Sequence, residues 1–257
     1  MKATSMTAAE MTIGRMSETL VGSLTVVAKS CRILEMEGHG DLSLGHLSLR
    51  DPEGRGFWMK RNRIGLGEVL GPEDLVLIDM GAEFNYYTGD ITRTYPVNGK
   101  FTAVQKEFYE RVLKVQKHLI SMIHPGVVFK SLQDTTIEML TEHMLELGLL
   151  KGSVQQNIEQ LNYKKYYPHG VSHWLGMDVH DAGLYKKDGP SRPLEAGMCF
   201  TIEPGLYVPA DDMSAPAHLR GLGVRIEDNI LVTDTGHENL TQSCPKEVKD
   251  LENLIGT

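Results

Sequence analysis

The chain has 257 residues, 41% of them hydrophobic and 23% charged, with a formal net charge of −8. That length supports a packed core in one large domain or two small ones. The acidic balance, without a basic stripe, excludes nucleic acid and an anionic membrane surface as partners.

Cys31, Cys199 and Cys244 are odd in number, far apart and without a CxxC pair, which argues against a disulfide framework or a structural zinc knuckle and fits a reducing compartment. The apolar run over residues 20–28 follows Glu10, Arg15 and Glu18 and is closed by Lys29 without a leader cleavage pattern. No run approaches the roughly 20 apolar residues needed to span a bilayer, so the expected location is cytoplasmic.

Residues 1–12 show no apolar period. Over residues 13–36, Met16, Leu20, Leu24, Val27, Cys31 and Leu34 recur every three or four positions and predict a long amphipathic helix, stopped at Gly38. Leu42, Leu44, Leu47 and Leu49 then alternate as a short strand, and Asp51-Pro52-Glu53-Gly54 reads as a turn. His39 and His46 read as structural, and Gly38, Gly40 and Gly45 as turn residues without phosphate-loop spacing.

From residue 75 the signals sharpen. LVLIDM (75–80) is a buried strand carrying Asp79; Gly81 permits a bend; AEFNYY through ITRTYPV supplies neighbouring strands, with Gly89 freeing the backbone beside Asp90. Asp79 and Asp90 are therefore expected to meet across adjacent strands. Thr102 with Gln105 forms a capping box for a helix reaching about residue 123, its apolar face made by Val104, Phe108, Val112, Val115 and Leu119. Ser131 is expected to cap a second helix with Ile137, Leu140, Met144 and Leu147 inward. Residues 153–161 predict a third, short helix with Asn157 at the surface.

Residues 166–183, YYPHGVSHWLGMDVHDAG, gather His169, His173 and His180 among glycines and aromatics with little charge to solvate them. FTIEPGLYV (200–208) and GVRIEDNILV (223–232) read as single strands, each with an acid inside an apolar run: Glu203 and Glu227. Trp174 and Tyr207 read as packing residues, and residues 245–254 as a terminal helix. An unpaired buried carboxylate costs several kcal/mol, so acids in such settings call for a cation, a hydrogen-bond cluster or an edge facing water. Four carboxylates and an imidazole converging would make an oxygen-rich site for two divalent metals such as manganese, cobalt or zinc.

Asp79, Asp90, His173, Glu203 and Glu227, with HGVSHWLGMDVHD, TIEPGLY and VRIEDN around them, resemble the five-ligand signature of the pita-bread metallopeptidases, in the form found in aminopeptidase P and prolidase. The resemblance runs from about residue 75 to the C-terminus. It implies an α+β, creatinase/aminopeptidase-like mixed sheet with covering helices. It further implies hydrolysis of Xaa-Pro bonds by a hydroxide held between two metal ions, Mn2+ first, with Co2+ or Zn2+ as alternatives. On that likeness Asp90 and Glu227 bridge the ions, Asp79 completes one, and His173 with Glu203 completes the other. His180 donates to the oxyanion, His169 holds the substrate's peptide group, Glu203 also shuttles a proton, and Arg225 orients the carboxylates. The implied partners are peptides with proline second; a homo-oligomer is compatible with it.

Residues of about 15–78 carry a different resemblance, to the N-terminal part of the class II aldolase/adducin family, which divides the chain into an aldolase-like helix–strand segment at 1–74 replacing the front half of the fold and a peptidase region at 75–257. The H-x-H pair of that family is missing after Asp79. A sugar-phosphate lyase and a non-catalytic peptide-binding module are the alternatives to a peptidase.

Overall fold

The structure, a computed structural model, describes residues 48–50, 57–59, 73–186 and 189–255. The helix expected over 13–36, the turn at 51–54 and most of the strand around Leu42 to Leu47 lie outside the described residues. The chain divides into two compact units. In the first, made of Met1–Val76, Pro96–Lys100 and Ile255–Thr257, β1 (Ser48–Arg50) pairs antiparallel with β2 (Phe57–Met59), and the Val97 N–H donates to the Asp74 carbonyl at 3.0 Å.

The second unit, Leu77–Tyr95 with Phe101–Leu254, carries every candidate site residue. Helix α1 (Ala103–Ser121) starts at the expected capping box. The Gln105 N–H donates to Thr102 Oγ1 at 3.2 Å and the Thr102 N–H to Gln105 Oε1 at 2.9 Å, so two otherwise unpaired donors are satisfied together. Its Phe108, Val112, Val115 and Leu119 are wholly buried. Helix α2 (Phe129–Glu146) packs on α1, with its Leu132, Leu140 and Met144 buried and Ile137 only half-buried. Ser131 is not its cap: Val128 holds that position, and the Ser131 hydroxyl, one turn in, donates back to the Val128 carbonyl at 2.7 Å.

Ser153 caps the short α3 (Val154–Glu159), but Asn157 is buried rather than solvated. Its amide donates to the Lys151 and Ser153 carbonyls at 3.0 and 2.8 Å, satisfying carbonyls of the turn from which the helix starts. The terminal helix α4 is Val248–Ile255.

Strand β3 (Leu75–Met80) pairs with β6 (Ile91–Pro96). Only Val76 of β3 is fully buried, so the strand is less enclosed than its apolar sequence suggests. Between them β4 (Glu83–Phe84) and β5 (Tyr87–Thr88) form a hairpin whose tip residues, Asn85 and Tyr86, take φ of 51° and 68°. Such angles suit the twist of a two-residue hairpin and are unusual for a bulky residue like Tyr86. The loop closes where Gly81 meets Gly89: a Cβ at Gly81 would stand 1.6 Å from the Gly89 carbonyl oxygen, so only glycine fits.

The two runs expected as single strands are each broken in the middle. β7 (Cys199–Ile202) and β10 (Asp228–Val232) pair antiparallel, with Ile202 opposite Asp228; β8 (Gly205–Tyr207) and β9 (Gly223–Arg225) pair separately, with Gly205 opposite Arg225. β11 (His237–Asn239) extends the first ladder beyond β10. The break follows from the backbone donors. Pro204 has none, the Glu203 N–H goes to the Val171 carbonyl at 2.8 Å, and the Glu227 N–H goes to the Thr92 carbonyl at 3.0 Å. Both glutamates therefore sit at the crossing between two ladders, Glu203 held by the histidine stretch at Val171 and Glu227 by β6 at Thr92.

Candidate metal centre

Asp79 comes from the end of β3, Asp90 from the residue before β6, Glu203 and Glu227 from the two strand breaks, and His173 from the histidine stretch. The His173 Nε2 lies 3.3 Å from Asp90 Oδ2, 3.5 Å from Glu203 Oε1 and 3.8 Å from Glu227 Oε1. One ligand-type atom each from Asp90, His173 and Glu227 falls within 4.8 Å of the others. Asp79 lies against Asp90, as expected from the strand pairing, and is bridged to Arg225.

Second-layer bonds fix these heads. The His173 Nδ1 lies 3.0 Å from the Trp174 carbonyl, which can only accept, so Nδ1 carries the proton and Nε2 faces the acids. Thr92 Oγ1 donates to Glu227 Oε2 at 2.6 Å. Asn229 Oδ1 accepts the Asp90 N–H at 3.0 Å, and the Asn229 amide donates to the Asp90 carbonyl. Trp174 packs against Phe129, Tyr185 and Phe200, as its sequence reading holds.

The electrostatics suit a bound cation. Burial, reinforced by Glu203 and Asp90, pushes the Glu227 carboxyl up to about 8, and burial pushes Glu203 up to about 7 against the pull of Arg225 and His173. Burial also raises Asp79, although the Arg225 charge opposes it. For Asp90 burial acts upward too, but the bonds to His173 and Asp79 outweigh it and hold it below the usual range. Burial pulls His173 down, yet the bonds to Asp90 and the Trp174 carbonyl and the neighbouring charges carry it up to about 9. The raised values of Asp79, Glu203 and Glu227 record a crowding of carboxyls that a bound cation would relieve. Glu227 Oε1 is buried without a hydrogen-bond partner, a cost of about 1–3 kcal/mol that a metal ion would remove. The donor set of carboxylate oxygens and one imidazole nitrogen is the kind divalent first-row ions accept.

Around this cluster the remaining candidates divide. His180 is exposed, and its ring stands edge-on to His173, centroids 4.3 Å apart. Arg225 reaches Asp79, Thr92 Oγ1 at 3.0 Å and the Tyr207 hydroxyl at 3.4 Å. His169 Nδ1 bonds the Gly170 carbonyl and its Nε2 lies 2.7 Å from the Tyr207 hydroxyl. Both ring nitrogens are thus committed within the protein, and burial holds the ring below its ordinary pKa. That geometry sets His169 beside Tyr207, one hydrogen bond away from Arg225. Tyr207, read as a packing residue, instead joins His169 to Arg225 by hydrogen bonds. The strand pattern marks Tyr207 as a packing position but gives no sign of where its hydroxyl ends.

The chain matches Metallopeptidase family M24 over residues 54–234. It is 51% identical over 186 residues to a Xaa-Pro aminopeptidase of Haemophilus influenzae, covering 72% of this chain and 43% of that protein. To a Xaa-Pro aminopeptidase of Escherichia coli it is 47% identical over 182 residues, covering 71% and 41%. The chain thus spans less than half the length of these curated relatives. Among solved structures, Pseudomonas aeruginosa aminopeptidase PepP superposes with a TM-score of 0.74 at 33% identity, covering 93% of this chain and 59% of that one. Aminopeptidase P from E. coli with the inhibitor Pro-Leu gives 0.72 at 34%, covering 94% and 59%. The family match begins inside the 1–74 segment read as aldolase-like, and the structural likeness covers nearly the whole chain, so an aldolase-like front half is not supported.

Proposed function

This chain belongs to metallopeptidase family M24, and on that premise we propose that it releases the N-terminal residue from peptides with proline in second position. The observation that carries the reading is the convergence of Asp90, Glu203 and Glu227 on His173 Nε2, with the buried Glu227 Oε1 lacking a hydrogen-bond partner. Asp79, Asp90, His173, Glu203 and Glu227 would hold two divalent ions, Mn2+ as the first candidate and Co2+ or Zn2+ as alternatives. Such a pair, when bound, acidifies water and polarises the scissile carbonyl.

The chain's own groups do the rest. Asp90 and Glu227, whose carboxyl oxygens lie 3.3 and 3.8 Å from His173 Nε2, would be the ligands shared between the two ions. Glu203, its Oε1 3.5 Å from His173 Nε2, would take the proton given up by the attacking water and deliver it to the leaving amine. His180, exposed beside His173, donates a ring N–H to the oxyanion that forms at the attacked carbonyl. Arg225 holds Asp79, and His169 with Tyr207 holds Arg225 in turn.

The test is release of the first residue from an Xaa-Pro tripeptide and from its Xaa-Ala counterpart, with and without MnCl2. We expect manganese-dependent cleavage of the proline peptide and little of the alanine one. Loss of neither on chelation, or equal cleavage of both, would contradict the proposal; binding of the peptide without any cleavage would favour a non-catalytic peptide-binding module.

A further inference from the structure

We propose that Thr92 is a positioning residue that sets which oxygen of Glu227 faces the metal pair; this rests on the metal-binding reading above. Thr92 lies in β6, wholly buried, and holds Glu227 at two points. Its carbonyl accepts the Glu227 N–H at 3.0 Å, and its hydroxyl lies 2.6 Å from Glu227 Oε2. The direction of that second bond is fixed by a third group. Arg225 Nε stands 3.0 Å from the same hydroxyl oxygen, and a guanidinium can only donate, so it occupies one of the Thr92 lone pairs.

The single Thr92 proton is thereby left for a carboxylate, and Glu227 Oε2 accepts it at 2.6 Å. The Asp79 carboxyl, against which the hydroxyl also lies, is drawn instead to the Arg225 guanidinium. With Oε2 so engaged and the backbone clamped, the Glu227 carboxylate cannot rotate freely. Oε1 is turned into the cluster, 3.8 Å from His173 Nε2 and without a hydrogen-bond partner. One hydroxyl thus distinguishes the two oxygens of the Glu227 carboxylate, holding one and leaving the other turned into the site.

Thr201 offers a comparison within the same centre. Its hydroxyl accepts the His173 N–H at 3.2 Å and faces Glu203 Oε1 at 3.4 Å, a separation too long for a strong O–H···O bond. The tight relay is therefore at Glu227, not at Glu203.

The experiment titrates MnCl2 calorimetrically into the metal-free full chain and into Thr92→Val, Thr92→Ser and Thr92→Ala, with the thermal unfolding of each metal-free protein measured beside it. Valine keeps the shape and removes the hydroxyl; it is expected to weaken Mn2+ binding about 10- to 100-fold, the range found for lost outer partners of metal ligands. Serine, which keeps the hydroxyl and drops the methyl, is expected to restore most of the affinity. Alanine, should valine not fold, is expected to behave as valine does. Equal affinity in the parent and Thr92→Val would overturn the proposal, as would equal weakening by valine and serine, which would assign the effect to packing. A purely structural role would lower the unfolding temperature without weakening Mn2+ binding to the folded protein, and that too would overturn it. An unaltered chain that takes up no Mn2+ at all would sink the metal-binding reading as well, so the two failures are separable.

Discussion

Asp90→Ala is expected to lower kcat/KM for an Xaa-Pro peptide by about a thousandfold or more, since a catalytic cation contributes several kcal/mol of transition-state stabilisation and each 1.36 kcal/mol is tenfold. Asp90 is the acid closest to His173 Nε2, at 3.3 Å, and one of the three residues whose ligand atoms cluster most tightly. Its removal leaves one fewer oxygen donor at the centre of the set. The fold should survive the change. The backbone at this position is held by Asn229, which bonds both the Asp90 N–H and its carbonyl, and neither bond uses the carboxylate. Thermal unfolding of the metal-free variant is therefore expected only modestly below that of the parent, because the carboxylate's bonds to His173 and Asp79 are lost while the backbone bonds remain. Steady-state kinetics and a melting curve on the same preparation check both halves; an active Asp90→Ala, or an inactive one that is also unfolded, would count against this assignment.

Asp228→Asn is expected to have the opposite profile, a large loss of stability from a residue that touches no substrate. Asp228 is fully buried beside Glu227 and takes Arg93 at 2.7 Å, Thr241 at 3.0 Å, Asn239 at 2.9 Å, Gln116 at 2.8 Å and the Lys246 ammonium. Arg93, itself 2% exposed, also donates to the Thr92 and Glu227 carbonyls, so this ion pair is the floor on which both residues rest. Removing one partner strands a buried guanidinium, at a cost of about 3–5 kcal/mol. For a chain of this size that corresponds to a fall in Tm of about 10 °C.

The pH dependence has a definite sign. Burial acts to raise the Asp228 carboxyl, but Arg93 and Lys246 outweigh it and hold it well below the usual carboxylate range. A depressed folded pKa contributes stability that is fully present above the unfolded value, roughly 3.9, and is lost as pH falls toward the folded one. The Tm difference between parent and Asp228→Asn should thus be constant near neutrality and shrink below about pH 4. A constant gap throughout the acid range would contradict the assignment.

These two residues show what the sequence can and cannot disclose. Asp79, Asp90, Glu203 and Glu227 stand out in the chain because a charge inside an apolar run has a cost that local structure cannot offset, and His173 stands out by its company. The helices α1 and α2 follow from three-to-four-residue periodicity, which is a local property. Thr92, Arg93, Asp228 and Asn229 give no such signal: threonine and asparagine are ordinary in strands, and Asp228 next to Glu227 reads as the same acid repeated. Their roles exist only once β6 is laid beside the β9–β10 break, a contact spanning more than a hundred residues of chain. The breaks themselves were hidden for a related reason. Apolar sequence continues through Glu203-Pro204 and Ile226-Glu227, and only the redirection of their N–H groups to Val171 and Thr92 divides each run into two strands. Asn157 shows the converse, a polar residue in a polar segment that is buried to satisfy the carbonyls of its own turn.

Manganese content per chain after equilibrium dialysis against MnCl2, read by elemental mass spectrometry, tests the central assignment most directly. Two ions for each unaltered chain, falling to one or none in Asp90→Ala, is the predicted result. Manganese no higher than in the surrounding buffer, or the same content in both proteins, would contradict it.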